Sequence, residues 1–330
     1  MEEQKRKLQI HLTVFLLFTT LFVILPNLCI SAEDPAKFPS KQITMIVPWT
    51  PGGGSDLAAR KFGDGVSKIL GQPIIIINKG GGGGVIGLTA LAKADPDGYI
   101  FGTVTHSPIV PIPHQRSVPY NTKEDFSFIM QYCEYMAPFC VLTDSPWKTF
   151  KEFMEDARKN PGKLTFATPG PLSMYHIFME QVAMQEKVRI THIPVSGDAE
   201  MVSQHLGGHV DASMSSPLIP HILAKKVRAL AVMNEKRLDV IPDVPTFSEL
   251  GYKIDYANFA GFIAPKGVDP RIIKKLGDAF KKVWDDPSNK EFLATSGMAP
   301  VYKNSEAFKA MVFNDFDRMG IALKKLTDIK

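Results

Sequence analysis

Two glycine-rich turns hold the residues best suited to bind a small anion. The first, Pro51-Gly52-Gly53-Gly54-Ser55-Asp56, follows the apolar run Ile43-Thr44-Met45-Ile46-Val47; the second, Gly80 to Gly84, follows Pro73-Ile74-Ile75-Ile76-Ile77. Glycines let backbone N–H groups approach a ligand closely, and a helix N-terminus favours negative charge. Inside a cell that chemistry suggests nucleotides; outside it, a small carboxylate fits better. Gly82-x-Gly84-x-x-Gly87 matches the dinucleotide fingerprint by letter. It follows the second strand rather than the first, however, and lacks an acid about twenty residues on to bind a ribose. The first turn lacks the Gly-Lys-Ser/Thr ending of a phosphate loop, and Ser55 lies in no Gly-x-Ser-x-Gly elbow. Ser55 or Asp56 capping a helix is compatible with binding, because a cap leaves other first-turn N–H groups free. His205 and His209 flank Gly207 and Gly208 without a metal-protease glutamate, and read as surface or loop residues. His176 follows the loop Thr168-Pro169-Gly170-Pro171-Leu172-Ser173, where fixing the loop and touching a ligand are both open roles. No arrangement demands catalysis, a metal or a cofactor.

The compartment follows from the N-terminus. Lys5, Arg6 and Lys7 precede an apolar stretch from Leu12 to Leu25, and Cys29-Ile30-Ser31-Ala32 offers cleavage after Ser31 or Ala32. Residues 1–32 therefore read as an export signal, with an uncleaved anchor as the alternative; Leu28 argues against a lipoprotein at Cys29. The expected location is the periplasm. About 300 residues then remain, enough for two lobes. The net charge of +4 is spread among acids, so nucleic-acid binding is not expected. Cys133 and Cys140 are either a disulfide or two buried thiols.

Positioning these turns takes alternating strands and helices. Strands are expected over 42–49, 74–78 and 99–104, with helices over 55–70 and 85–93: a βαβαβ opening with a parallel sheet. The first helix should bury Leu57, Phe62, Val66 and Leu70, and the β-branched run at 74–78 should be buried on both faces. The pattern repeats with helices over 148–159, 173–185 and 199–206 and strands over 164–168, 188–194, 210–214 and 227–232. Amphipathic helices over 270–285 and 305–325 close the chain. Ala137 to Thr143 and Asn258 to Ala264 read as crossings between lobes, with a ligand cleft where strand C-termini face each other.

Several segments, in order, resemble the solute receptors of tripartite tricarboxylate transporters, the Bug-type periplasmic binding proteins. They are Phe38-Pro39-Ser40-Lys41, Val47-Pro48-Trp49-Thr50 running into the first glycine turn, Leu70-Gly71-Gln72-Pro73, and the glycine run ending at Gly87. Ala94-Asp95-Pro96-Asp97-Gly98-Tyr99, Pro161-Gly162-Lys163-Leu164, Val227-Arg228-Ala229-Leu230-Ala231-Val232 and the stretch from Ile241-Pro242-Asp243-Val244-Pro245 to Gly251 continue the match. The resemblance spans nearly the whole mature sequence. It implies an α/β, two-lobe periplasmic-binding-protein-like fold (type II) with a two-strand hinge, the first lobe formed by 33–140 and 257–330 and the second by 141–256. It further implies a monomeric receptor, not an enzyme, that delivers a small organic acid to membrane transporter subunits. That acid would be a di- or tricarboxylate, an amino acid or an aromatic acid. A sensing receptor for a signalling partner and a secreted enzyme acting on a small acid are the alternatives.

Carried over by position, the first-lobe site uses Trp49, Thr50, Gly53, Gly54, Ser55 and Asp56, then Gly82, Gly83 and Gly84, joined by His106 and Ser107. The second lobe contributes Thr168, Gly170, Ser173, His176, Ser196 and Asp198. Four positions depart from the family pattern: Leu172 and Asp198 where glycine is common, Val195 where an aromatic is common, and Ser215 where an aspartate is often found. Leu172 and Val195 would make their wall more apolar. Asp198 would disfavour a second carboxylate or pair with an amine.

Overall fold

A computed structural model describes residues 1–2, 34–170, 173–195, 197–234, 236–252 and 258–327. The expected export signal and its cleavage site lie outside the described residues. The chain divides into Met1–Asp34 and Pro35–Lys330, and the second unit carries both sheets.

The first sheet has six strands in the order β11-β4-β10-β3-β1-β2. Its members are β1 (Ile43–Val47), β2 (Ile74–Asn78), β3 (Ile100–Thr105), β4 (Phe126–Tyr135), β10 (Phe259–Pro265) and β11 (Met298–Asn304). β1 pairs in parallel with β2 and β3, as the βαβαβ opening requires, while β10 and β11 run antiparallel to β4. The second sheet, ordered β7-β6-β8-β5-β9, comprises β5 (Pro138–Leu142), β6 (Thr165–Thr168), β7 (Thr191–Pro194), β8 (Ala212–Met214) and β9 (Val227–Val232). The molecule is thus two α/β lobes in one chain. The two segments expected to cross each lie in one sheet, β5 in the second and β10 in the first. The first passage between lobes is the short link Met136–Ala137. Its backbone is held from both sides: Met136 N–H donates to Gly297 C=O at 2.9 Å and Ala137 N–H to Asn234 Oδ1 at 3.0 Å.

Helix α1 (Gly54–Leu70) packs on the first sheet with Phe62 and Val66 buried and Leu70 packed half-buried against the core, as expected, but without Leu57. Ser55, Asp56, Ala58, Ala59, Phe62, Gly63 and Val66 turn inward, and Leu57 is exposed. Small residues win the inner face because the strands come close: a Cβ on Gly63 would stand 3.3 Å from Ile76. Phe62 packs against Tyr132, Phe262 and Phe280, the last from helix α9 (Pro270–Asp285). Burying such a ring contributes about 2–3 kcal/mol. β2 is not buried on both faces. It is an edge strand, and Ile75 and Ile77 remain 41% and 40% exposed.

β4, the longest strand, has no counterpart among the sequence expectations. Cys133 on β4 and Cys140 on β5 are both buried free thiols in different sheets. Burial raises both above the usual thiol range.

Candidate functional site

The first glycine turn ends at Gly53, which has extended backbone and starts α1 without a side-chain cap. Asp56 instead reaches back to accept from Gly52 N–H at 2.9 Å. It also accepts from Arg60 Nε at 3.0 Å and Asn78 Nδ2 at 2.9 Å, and Asn78 donates in turn to Trp49 C=O at 3.1 Å. Burial by itself would raise the Asp56 carboxyl. The hydrogen bonds from Arg60, Gly52 and Asn78 and the Arg60 charge outweigh it and hold the group below its usual 3.8. Asp56, 2% exposed, therefore braces the turn against β2 rather than presenting itself to a ligand. The N–H groups at the start of α1, those of Gly53, Gly54 and Ser55, have no carbonyl within the helix to bond.

The second turn is built from four successive left-handed glycines, Gly81 to Gly84, with φ of 116°, 57°, 65° and 95°. Only glycine sustains such a run. A Cβ on Gly84 would lie 3.0 Å from Pro108 and 3.5 Å from the Trp49 ring, and one on Gly80 would lie 3.1 Å from Thr50 N. The two turns therefore pack together through Trp49 and Thr50. Trp49 Nε1 is buried with no acceptor among the described residues. Arg116 donates to Gly82 C=O at 2.5 Å, bracing the turn. Ser107 is half-buried beside this turn. His106 is fully buried, edge-on to Phe259 at 5.4 Å, and burial lowers its pKa to about 3. Directly after interior strand β3, it offers no surface to a ligand in this conformation.

In the second lobe, Ser173 caps helix α6 (Met174–Glu186) by accepting from His176 N–H at 3.3 Å, and donates to Thr168 Oγ1 at 3.1 Å. Thr168 Oγ1 also bonds His192 Nε2 at 2.9 Å and donates to Gly170 C=O at 3.0 Å. The His176 and His192 rings stack 3.7 Å apart. Burial, then the neighbouring His176, lowers His192 to about 4, so His192 is neutral near pH 7. Ser196 lies outside the described residues, as does Leu172. Val195 packs inward with Ala167 and Met201 instead of lining a wall. Asp198 opens helix α7 (Asp198–Leu206), and its Oδ1 accepts from Ser215 Oγ at 2.5 Å. His205 on the same helix is fully buried, not a surface residue; burial lowers it to about 4.

Three residues outside the expected site join the lobes. Tyr135, the last residue of β4, bonds Ser55 Oγ through its hydroxyl at 2.7 Å, and a Cβ on Gly54 would approach its ring to 3.1 Å. Its N–H donates to Asn258 C=O at 2.7 Å. Asn258 Nδ2 donates to the Tyr175 hydroxyl at 2.7 Å, linking the start of β10 to the start of α6. Burial chiefly, then Cys133, Tyr175 and the Asp198 charge, raises Tyr135 well above the usual tyrosine range. Burial and then Asp198 do the same to Tyr175. The N-terminal ends of α1 and α6 are thus linked through Tyr135 and Asn258. Among the described residues no group of three or more His, Cys, Asp or Glu could hold a metal ion. Nor is any described helix long and apolar enough to cross a membrane.

A family model described as "Tripartite tricarboxylate transporter family receptor" matches residues 58–327. The chain belongs to that family. The receptor is 38% identical over 291 residues to the "UPF0065 protein in gbd 5′region" of Cupriavidus necator, covering 88% of this chain and 89% of that one. Among solved structures, the periplasmic binding protein BugD superposes with a TM-score of 0.76 at 28% identity, over 87% of the receptor and 98% of BugD. An R. palustris protein solved with adipate superposes with a TM-score of 0.80 at 25% identity, over 87% and 97% of the two chains. The receptor is therefore a Bug-type periplasmic solute-binding protein with the two-lobe fold, and its family binds solutes rather than catalysing reactions.

Proposed function

We propose that the receptor captures a small organic carboxylate between its lobes and delivers it, as a monomer, to the membrane subunits of a tripartite tricarboxylate-type transporter. The observation that carries this reading is the uncapped start of α1. Its N–H groups lie beside Ser55 and Tyr135, where the two lobes meet. The buried Trp49 indole N–H, without an acceptor among the described residues, is a further donor at the same pair of turns. Charge-assisted hydrogen bonds contribute about 1.5–3 kcal/mol each, so three or four support micromolar binding after ordering costs. The adipate held by the R. palustris neighbour belongs to the same ligand class. Closure of the lobes over the ligand, a microsecond-to-millisecond hinge motion, presents the surface that membrane subunits read.

Native mass spectrometry of the mature protein, then calorimetry against mono-, di- and tricarboxylates, amino acids and aromatic acids, tests capture. A bound acid that loses at least tenfold in affinity on Ser55→Ala or Trp49→Phe is the expected result. Binding that is indifferent to both substitutions removes these turns from the site. Delivery is tested by reconstituting the membrane subunits in vesicles, where labelled acid should enter only when the receptor is added.

A further inference from the structure

Antiparallel β5 and β9 stay paired up to Pro138 and Val232, and one more rung follows, Met233 N–H donating to Ala137 C=O at 2.9 Å. There the β9 backbone leaves the ladder and a side chain continues it. Asn234 Oδ1 accepts from Ala137 N–H at 3.0 Å, and Asn234 Nδ2 donates to Tyr135 C=O at 3.3 Å. A carboxamide carries a donor and an acceptor at a fixed spacing, as a peptide group does, and so holds both. The second-lobe ladder thus reaches across Met136 to the last residue of β4, which belongs to the first lobe.

Around this clasp the link is held by backbone and packing. Tyr135 N–H donates to Asn258 C=O at 2.7 Å and Met136 N–H to Gly297 C=O at 2.9 Å. The Met136 side chain is buried in a cluster with Ile219 and Val232 of the second lobe, and Ala299 of β11 packs against that cluster from the first. Such packing is bistable rather than continuously deformable, so a change in lobe angle is taken up by bonds that can turn. Asn234, half-buried, holds the link through side-chain torsions, where the neighbouring rungs are backbone to backbone.

We propose that Asn234 is a positioning residue for solute capture: its amide sets the angle between the lobes by joining Tyr135 to Ala137 across Met136. The same grip fixes the strand end that carries the Tyr135 hydroxyl to Ser55 at the start of α1. The proposal rests on the capture reading for its purpose, but the lobe angle exists without a solute and is measured without one.

The test is pulsed electron paramagnetic resonance on the full mature receptor, free of solute, with spin labels at Lys151→Cys in the second lobe and Lys274→Cys in the first. Those side chains are 83% and 76% exposed, and Cys133 and Cys140 are buried, so the labels go to the introduced sites. Asn234→Asp keeps the size and the acceptor for Ala137 N–H, but turns the donor to Tyr135 C=O into a second acceptor. It should move or broaden the interlobe distance by more than about 2 Å, and so should Asn234→Ala. Thr143→Val removes a hydrogen bond to Lys225 C=O just past the other end of β5, and should leave the distance unchanged. Distances in both Asn234 variants that match the unmodified receptor would overturn the proposal even if both melt earlier, because a merely structural role lowers the melting temperature without moving the lobes. An equal shift in Thr143→Val would overturn it too. If neither Asn234 variant folds by circular dichroism, amide exchange in the unmodified receptor decides. The Ala137 N–H should then be protected roughly a hundredfold, and exchange at the rate of an open loop would overturn the clasp. A receptor that binds no carboxylate would sink the capture reading and leave the lobe-angle result as measured.

Discussion

Adjacent residues in the first glycine turn do different work, and substitution should separate them. Ser55→Ala removes a hydroxyl bonded to Tyr135 beside the proposed ligand site, so affinity should fall while the melting temperature moves by only a few degrees. Asp56→Ala strips the acceptor from Gly52, Arg60 and Asn78, and should cost about 2 kcal/mol of stability. Because the folded Asp56 carboxyl lies below its usual 3.8, its contribution is present above that pH and lost as pH falls through the folded value. Urea unfolding of the parent and Asp56→Ala should therefore differ at pH 7 and converge in strong acid. A gap that persists there would mean that packing, not charge, holds the turn. The sequence marked this turn as a binding loop but could not divide its labour. A serine and an aspartate read alike as caps, and which one turns inward depends on the strand beneath. Val195 makes the same point: a departure that reads as a wall residue packs in the second-lobe core.

At the scale of elements, parallel strands and their helices were legible from alternating apolar runs, and β2 was bounded correctly. Its burial was not legible. A run of isoleucines looks the same in a sheet's centre and at its edge, and only the order of strands puts β2 outermost. β4 escaped notice because its run Phe126–Tyr135 mixes polar residues into an aromatic strand without regular alternation. Gly87 illustrates a helix position fixed by contact rather than conformation. A Cβ there would stand 2.6 Å from the Pro48 backbone and 2.8 Å from Lys79 C=O, and neither can swing away. Gly87→Ala should therefore cost about 2–4 kcal/mol. Gly71→Ala, with open space around it but φ of 71°, should cost about 1 kcal/mol. Denaturant midpoints at unchanged slope would check the ranking; equal losses at both positions would contradict it.

Across the whole molecule, three neutral histidines make stability depend on pH. Burial lowers His106 to about 3 and, as the main cause, His192 and His205 to about 4, all below the usual 6.5. Between those values the unfolded chain binds more protons than the folded one. Stability should be fully present above 6.5 and fall as pH drops towards 4, by about 1.4 kcal/mol per pH unit for each histidine. Unfolding followed at pH 7.5, 6 and 5 should show that decline, and His205→Leu should flatten it. A profile level from 7.5 to 5 would show that these imidazoles reach solvent. A bound solute should oppose the loss, adding about 2.7 kcal/mol at a hundred times its Kd.

The sequence by itself determined the kinds of element, the two glycine turns and the solute-receptor family, because periodicity, positive-φ glycines and motif order are local properties of the chain. Only the tertiary structure decided which residues meet. Tyr135, Tyr175 and Asn258 come from β4, α6 and the start of β10, and no local pattern marks a strand's last aromatic as a bridge between lobes. Ser215 and Asp198, two separate departures from the family pattern, become one hydrogen-bonded pair when β8 delivers its end to the start of α7. Charge in such a site is set by partners brought from distant sequence, and those partners exist only in the folded chain.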